Sequence, residues 1–398
     1  MASRNTVPLL VGMMLLTGVC NTLLTKYQDK QCVRNCDDPD VTKHRFFEQP
    51  TLQTAQMFVG EMGSWLVIGL MALHRQFVAK SSPSAQGYEA VGANDGEEQQ
   101  PTRADSLRGL RVFMLALPAI CDILATTLMN VGLLLVAASI YQMTRGALVL
   151  FVGLFSVIFL RRHLKLFQWL ALLGVVAGVA VVGLAGAIWP DEKASAAAAG
   201  GDGDGEALTE VSAAIIGVLL IAGAQIFTAT QFVLEEWLLE NSPIQPIQVV
   251  GWEGLFGFLI TVFIMIVMHL TVGRTESGKN GYFDMTEGWR QMTSNKAIGL
   301  TSILIMISIG GFNYFGLAVT RSVSATARST IDTCRTLFIW MVSLSLGWES
   351  FKWLQIVGFG LLVYSTFLFN GIVQPPFKCL HTDEEVEGLL PEEPIEHQ

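Results

Sequence analysis

Hydrophobic and polar positions alternate along this chain in long blocks, not at the short period of a strand or a surface helix. Ten runs are apolar over about 20 residues each, the length that spans the hydrocarbon core of a bilayer. They fall at roughly 7–25, 53–74, 112–136, 138–160, 166–188, 212–238, 247–270, 297–319, 325–347 and 352–373. The pattern predicts an all-α polytopic membrane protein with ten transmembrane helices. The first run, "VPLLVGMMLLTGVCNTLLTKY", extends past the length of a signal peptide and lacks a small-residue cleavage site. It is therefore read as a retained helix.

Polar stretches divide these runs. Residues 76–111 are rich in Ser, Gly, Gln and acidic residues, and residues 28–50 form a long first loop. The predicted organisation is an N-terminal five-helix repeat at 1–188, a flexible linker at 189–211, a C-terminal five-helix repeat at 212–373 and an acidic tail at 374–398. An even number of spans puts both termini on one side. The short basic loop "RRHLK" assigns that side to the cytosol. Glu235 and Glu236, at the cytosolic end of the sixth span, are read as solvated.

The two blocks repeat one another. Ser139 aligns with Thr326, Arg162 with Glu349 and Gln168 with Gln355, all at an offset of 187. Glu61 aligns with Glu253 at 192, and Gly12 and Gly18 with Gly217 and Gly223 at 205. The offset changes where loop lengths differ. A block with an odd number of spans inserts its copy upside down, so the expected architecture is two inverted five-helix repeats. Secondary transporters are commonly built this way, with the substrate site between the repeats.

Composition agrees. The 398 residues are 51% hydrophobic and only 15% charged, against about 25% charged in an average soluble protein. The net charge of −9 lies mostly in loops and tail, and nothing resembles a nucleic-acid surface. The six histidines form no metal-like spacing, and neither a P-loop nor a GxSxG elbow occurs. No enzyme activity, cofactor or metal is expected. Cys20, Cys121 and Cys334 fall in apolar runs and are read as inert core residues. Cys32 and Cys36, in the first loop, are candidates for a disulfide with each other or with a partner.

Charged residues inside the runs stand out, because a charge at the middle of a membrane helix costs about 2.5–3.5 kcal/mol on insertion scales. Arg145 follows Tyr141 and Gln142 by four and three residues, so a helix starting near Ala138 would put all three on one face. Its repeat mate at offset 187 is Asp332, with Arg335 one turn further on. These five residues are the candidate substrate cavity, with a charge network holding the two halves together as the structural alternative. Glu61, Asp122 and Glu253 are candidates for proton coupling, since a carboxyl in a low-dielectric site takes up a proton more readily than one in water. Asn21, Asn130, Gln225 and Asn313 are read mainly as interhelical glue. Gly174 and Gly178 give the fifth span a close-packing face, suited to a second copy of the chain.

Several segments resemble a known family. The division into five and five spans, "CDILATTLMNVGL", "SIYQMTRGA", "GLFSVIFL", "VLEEWL", "WEGLFGF" and "SLGWESFKWLQIVGF" are similar to the drug/metabolite transporter superfamily, and within it to the F branch of solute carrier family 35. The resemblance covers nearly all the apolar portion and implies a ten-helix transporter working by alternating access, with a small-molecule solute as partner. A nucleotide-sugar or phosphorylated-metabolite antiporter of the Golgi is one alternative; a non-transporting membrane adaptor acting through loops and tail is the other. Glu385, Leu389 and Leu390 form an acidic dileucine pattern of the kind that sorting adaptors read. The expected location is the lysosomal or vacuolar membrane, with the Golgi second.

Overall fold

A computed structural model describes residues 6–36, 44–47, 49–80, 109–136, 141, 144–188, 204–275, 281, 283–347 and 351–374. The described chain is helical apart from one small hairpin. Its helices are α1 (Val7–Asp29), α2 (Pro50–Lys80), α3 (Ala116–Leu135), α4 (Leu148–Phe159), α5 (Leu166–Ile188), α6 (Asp204–Asn241), α7 (Pro246–Met268), α8 (Met285–Ser294), α9 (Lys296–Ser322), α10 (Ala325–Ser345) and α11 (Trp353–Phe369). A 3₁₀ stretch, Gly109–Leu115, leads into α3, and a π-helical turn, His269–Gly273, ends α7.

The helix starts follow from local chemistry. Pro246 opens α7, where its missing N–H costs nothing, and Gln245 and Gln248 form a reciprocal capping box there. Asp284 caps α8 by accepting from the Glu287 N–H, and Asn295 caps α9 by accepting from Ala297. Ser324 Oγ accepts from the Ala327 N–H at 3.0 Å, at the start of α10.

Six described helices are long and apolar enough to cross a membrane: those within Val7–Asp29, Pro50–Phe77, Val112–Gly132, Ile215–Asn241, Pro246–Gly273 and Lys296–Ser322. Three shorter apolar helices add to them, at Leu148–Phe159, Leu166–Val182 and Trp353–Phe369. This is a polytopic membrane protein. The region expected as one span over 138–160 differs from expectation: helical backbone at Thr144 and Arg145 gives way to a turn at Gly146–Ala147 before α4 begins. Gly146 sits where any side chain would strike Val179, and glycine is a poor helix former. The unbroken helix expected over 138–160 is thus interrupted directly after Arg145.

The contacts divide the chain into two compact units. Unit 1 comprises Met1–Asn130 and Ile226–Arg328; unit 2 comprises Val131–Gln225 and Ser329–Gln398. Each unit draws on both halves of the sequence. In unit 1, α2 packs between α7 and α9. Gly251, Gly254 and Gly257 of α7 lie against Trp65, Glu61 and Phe58 of α2, and Gly60 of α2 meets the backbone of Met306. α1 packs along α9, where the buried Gln28 donates to Ser302 Oγ at 2.8 Å. In unit 2, α5 packs along α11, with Gly178 against the backbone of Gly358 and Gly174 against Ser365. The small-residue face of α5, read as suited to a second copy, is thus occupied within the chain.

Outside the spans, β1 (Cys32–Arg34) pairs antiparallel with β2 (Arg45–Phe46). Cys32 and Cys36 are disulfide-bonded to each other. Between this hairpin and α8 lies a cavity of about 350 Å³, lined by polar side chains that include Glu287, Arg290, Gln291 and Lys296.

Candidate functional site

Unit 1 gathers most of the buried charge. Glu61 of α2 and Glu253 of α7 are 4% and 6% exposed. Their helices cross at Gly254, where the missing side chain admits the Glu61 Cβ. Asn313 of α9 donates from Nδ2 to Glu61 Oε1 at 2.5 Å. Glu253 Oε1 is buried with no hydrogen-bond partner. Asp122, on α3, is half-buried. The three carboxyls lie within electrostatic reach of one another and of Glu235 and Arg328.

That last pair was not anticipated. The sequence pattern singles out no role for Arg328 and expects Glu235 and Glu236 solvated. All three are buried, at 2%, 1% and 2% exposure. Arg328 Nη1 donates to Glu235 Oε2, its guanidinium lies over the Phe232 ring 4.2 Å from the centroid, and Gln231 donates to Glu235 Oε1 at 3.0 Å. Glu236 accepts from the Ala325 N–H at 2.9 Å. A carboxylate at a helix N-terminus is favoured by the orphan donors and the positive end of the dipole. The two adjacent glutamates of α6 therefore fasten the first turn of α10, and burial replaces the expected solvation. One sequence signal existed: "EE" inside the sixth apolar run, and an arginine at the fourth position of the ninth predicted span.

Unit 2 holds Arg145, Asp332 and Arg335. Arg335 pairs with Asp332 one turn away, Nε to Oδ1 at 3.2 Å and Nη2 to Oδ2 at 3.5 Å. The shorter approach is not aligned as a hydrogen bond. Among the described residues no ion pair joins Asp332 to Arg145. Tyr141 and Arg145 are half-buried. Gln142 lies outside the described residues, as do Glu385, Leu389 and Leu390.

The polar residues read as glue divide. Asn313 joins α9 to α2 through Glu61, and Asn21 accepts from Ser308 at 3.5 Å. Gln225 bonds only its own helix, at Ile221 O, and Asn130 is exposed. Of the three cysteines read as core, Cys334 is buried, Cys121 is half-buried and Cys20 is exposed. Among the described residues no three His, Cys, Asp or Glu side chains converge as a metal site.

At the hairpin, outside the spans, Arg34 and Arg290 both reach Glu287, at 3.1 and 2.7 Å. Burial acts to raise the Glu287 pKa. Hydrogen bonds from Gln291 and Arg290, with the charges of Arg290 and Arg34, outweigh that and hold it below the ordinary carboxylate range.

Apolar helices of spanning length, with buried carboxylates and a guanidinium among them, mark a polytopic membrane protein. Comparison with known proteins supplies the family. The nucleotide-sugar transporter family model matches residues 108–321, more than half of the chain. An uncharacterized protein of Schizosaccharomyces pombe is 37% identical over 92% of this chain and 98% of its own length. Solute carrier family 35 member F6 of Homo sapiens is 35% identical over 92% of this chain and 89% of its own length; the Rattus norvegicus protein of that name is also 35% identical, over 93% and 90%. The chain belongs to the nucleotide-sugar transporter family, on the F branch of solute carrier family 35. A solved crystal structure 13% identical to it superposes with a TM-score of 0.54, over 93% of this chain and 99% of that one. At that identity the likeness concerns the fold alone.

Proposed function

We propose that this protein is a secondary active transporter that moves a small organic solute by alternating access. The observation that carries the reading is the similarity to solute carriers along nine-tenths of the chain. Ten spans, arranged as two inverted five-helix repeats, are the architecture proposed with it; the matches at offsets of 187 to 205 support the repeat. Tyr141, Gln142, Arg145, Asp332 and Arg335 are the proposed cavity residues. Glu61, Asp122 and Glu253 are proposed to couple solute movement to protons, because buried carboxyls that lack cationic partners of their own bind and release protons as their surroundings change. The dileucine pattern Glu385, Leu389 and Leu390 supports a lysosomal or vacuolar location reached through sorting adaptors.

A second reading, a nucleotide-sugar antiporter of the Golgi, is favoured by the family model over residues 108–321. Both are tested together. Purified protein is heated at pH 5 and pH 7 with nucleotide sugars, nucleosides, amino acids, organic cations and phosphorylated sugars. A ligand at 100 times its Kd adds about 2.7 kcal/mol of stability. A stabilising solute whose effect disappears in Arg145→Ala names the class and places the cavity. Wild-type transport of that solute by folded Arg145→Ala and Asp332→Ala refutes the cavity assignment. A folded protein stabilised by no member of the panel counts against transport.

A further inference from the structure

The charge around the α2–α7 crossing is unbalanced. Glu61, Asp122, Glu235 and Glu253 lie within electrostatic reach of one another. Among the described side chains there, little offsets them. α6 supplies Glu235, α9 supplies the neutral Asn313, and α3 adds only the Cys121 thiol beside Asp122. The start of α10 supplies Arg328, and Arg328 is already paired with Glu235. Glu61 is met by an amide. Glu253 Oε1 is buried and unpartnered, and no hydrogen bond or ion pair from a described residue reaches the Asp122 carboxyl. Buried carboxylates without a counter-charge are costly. The cluster is therefore built to be completed by a positive charge.

We propose that this cluster recognises an organic cation, a solute carrying a protonated or quaternary nitrogen. The proposal rests on the transporter reading above and gives it a substrate class. A metal ion fits poorly, since no three described carboxylate, thiol or imidazole groups converge closely enough to ligate one. A nucleotide sugar or phosphorylated sugar fits worse. Its phosphates would meet several uncompensated carboxylates, and the Arg328 guanidinium is engaged. A larger cation with spread charge matches acidic groups that lie near one another without touching. The cluster also already accommodates such a group, because the Arg328 guanidinium lies over the Phe232 ring, the geometry in which aromatic faces bind ammonium and guanidinium charges. The coupling role proposed for the same carboxylates is compatible, since a proton and an organic cation neutralise them alike.

The test uses the full chain in liposomes, with labelled choline and tetraethylammonium as probe cations and uridine diphosphate glucose as probe anion. Saturable cation uptake is expected. Losing one charge contact weakens it about tenfold in Glu253→Gln and in Asp122→Asn, each checked for folding by its thermal midpoint. Should Glu253→Gln not fold, Glu253→Asp and Asp122→Asn carry the test. Wild-type cation uptake in the folded variants overturns the site. Uptake of uridine diphosphate glucose without cation uptake overturns the cation class and leaves the transporter reading intact. Uptake of neither probe, with a nucleotide sugar, nucleoside or phosphorylated sugar of the thermal panel stabilising the protein and no organic cation doing so, has the same meaning. Uptake of neither, with no stabilising solute, overturns both.

Discussion

Arg328 is paired with Glu235, covered by Phe232 and almost wholly enclosed. Removing one partner of such a pair leaves a buried charge uncompensated. Arg328→Ala should lower the unfolding free energy by about 3–5 kcal/mol, and Arg328→Met combined with Glu235→Leu should recover much of that loss. Thermal unfolding of the single and double variants in detergent checks this; a double variant as unstable as Arg328→Ala would show that the two are not coupled. Glu287 is a different case, because it lies at the hairpin with more exposed arginine partners. Its folded-state pKa is depressed, so its contribution is present above the unfolded value and fades as pH falls through the folded one. Protease protection of the hairpin strands Cys32–Arg34 and Arg45–Phe46 should therefore hold at pH 5 and weaken only below the ordinary glutamate value of about 4.3. In Glu287→Gln, protection should be weak at every pH.

At the scale of the element, glycine placement decides how closely helices approach. A Cβ at Gly60 would strike the Met306 backbone, whereas a Cβ at Gly12 meets nothing within 4 Å. Backbone cannot step aside as a flexible side chain does. Gly60→Ala should cost about 1–3 kcal/mol through overpacking. Gly12→Ala should be neutral or gain up to about 1 kcal/mol from helix propensity. The thermal midpoint should fall in Gly60→Ala and hold or rise in Gly12→Ala, and a loss at both would point to a general intolerance of α1 and α2. The same reasoning explains the turn before α4, where Gly146 admits Val179 at the cost of an unbroken helix.

For the whole molecule, transport and address should separate. In the proposed reading the solute passes through the helical units and the tail carries a sorting pattern. Deleting the chain from Pro375 should leave uptake in liposomes unchanged, while Leu389→Ala with Leu390→Ala should shift a fluorescent fusion away from lysosomes or vacuoles. Loss of uptake on deletion would return weight to an adaptor role. The units themselves interleave the two halves of the sequence, since each takes helices from both. The linear division at 189–211 describes how the sequence repeats, while the compact units describe which helices touch.

Helices were legible from the sequence because a bilayer leaves few options. Without water, backbone groups must bond within the segment, so about 20 apolar residues in a row mean a helix. The expense of intramembrane charge likewise made Glu61, Asp122, Glu253, Arg145, Asp332 and Arg335 visible as unusual. Partners were not legible. Whether a charge at a helix end faces water or another helix depends on which helix packs there, and a one-dimensional hydropathy pattern averages over that choice. The α6–α10 contact therefore turned Glu235 and Glu236 from residues expected in water into buried ones, met by Arg328 and by the Ala325 N–H. The α5–α11 packing turned the Gly174 and Gly178 face inward. Tertiary structure also chose between the two open readings of Cys32 and Cys36, because a disulfide forms only where two sulfurs are brought within bonding distance, here within one chain.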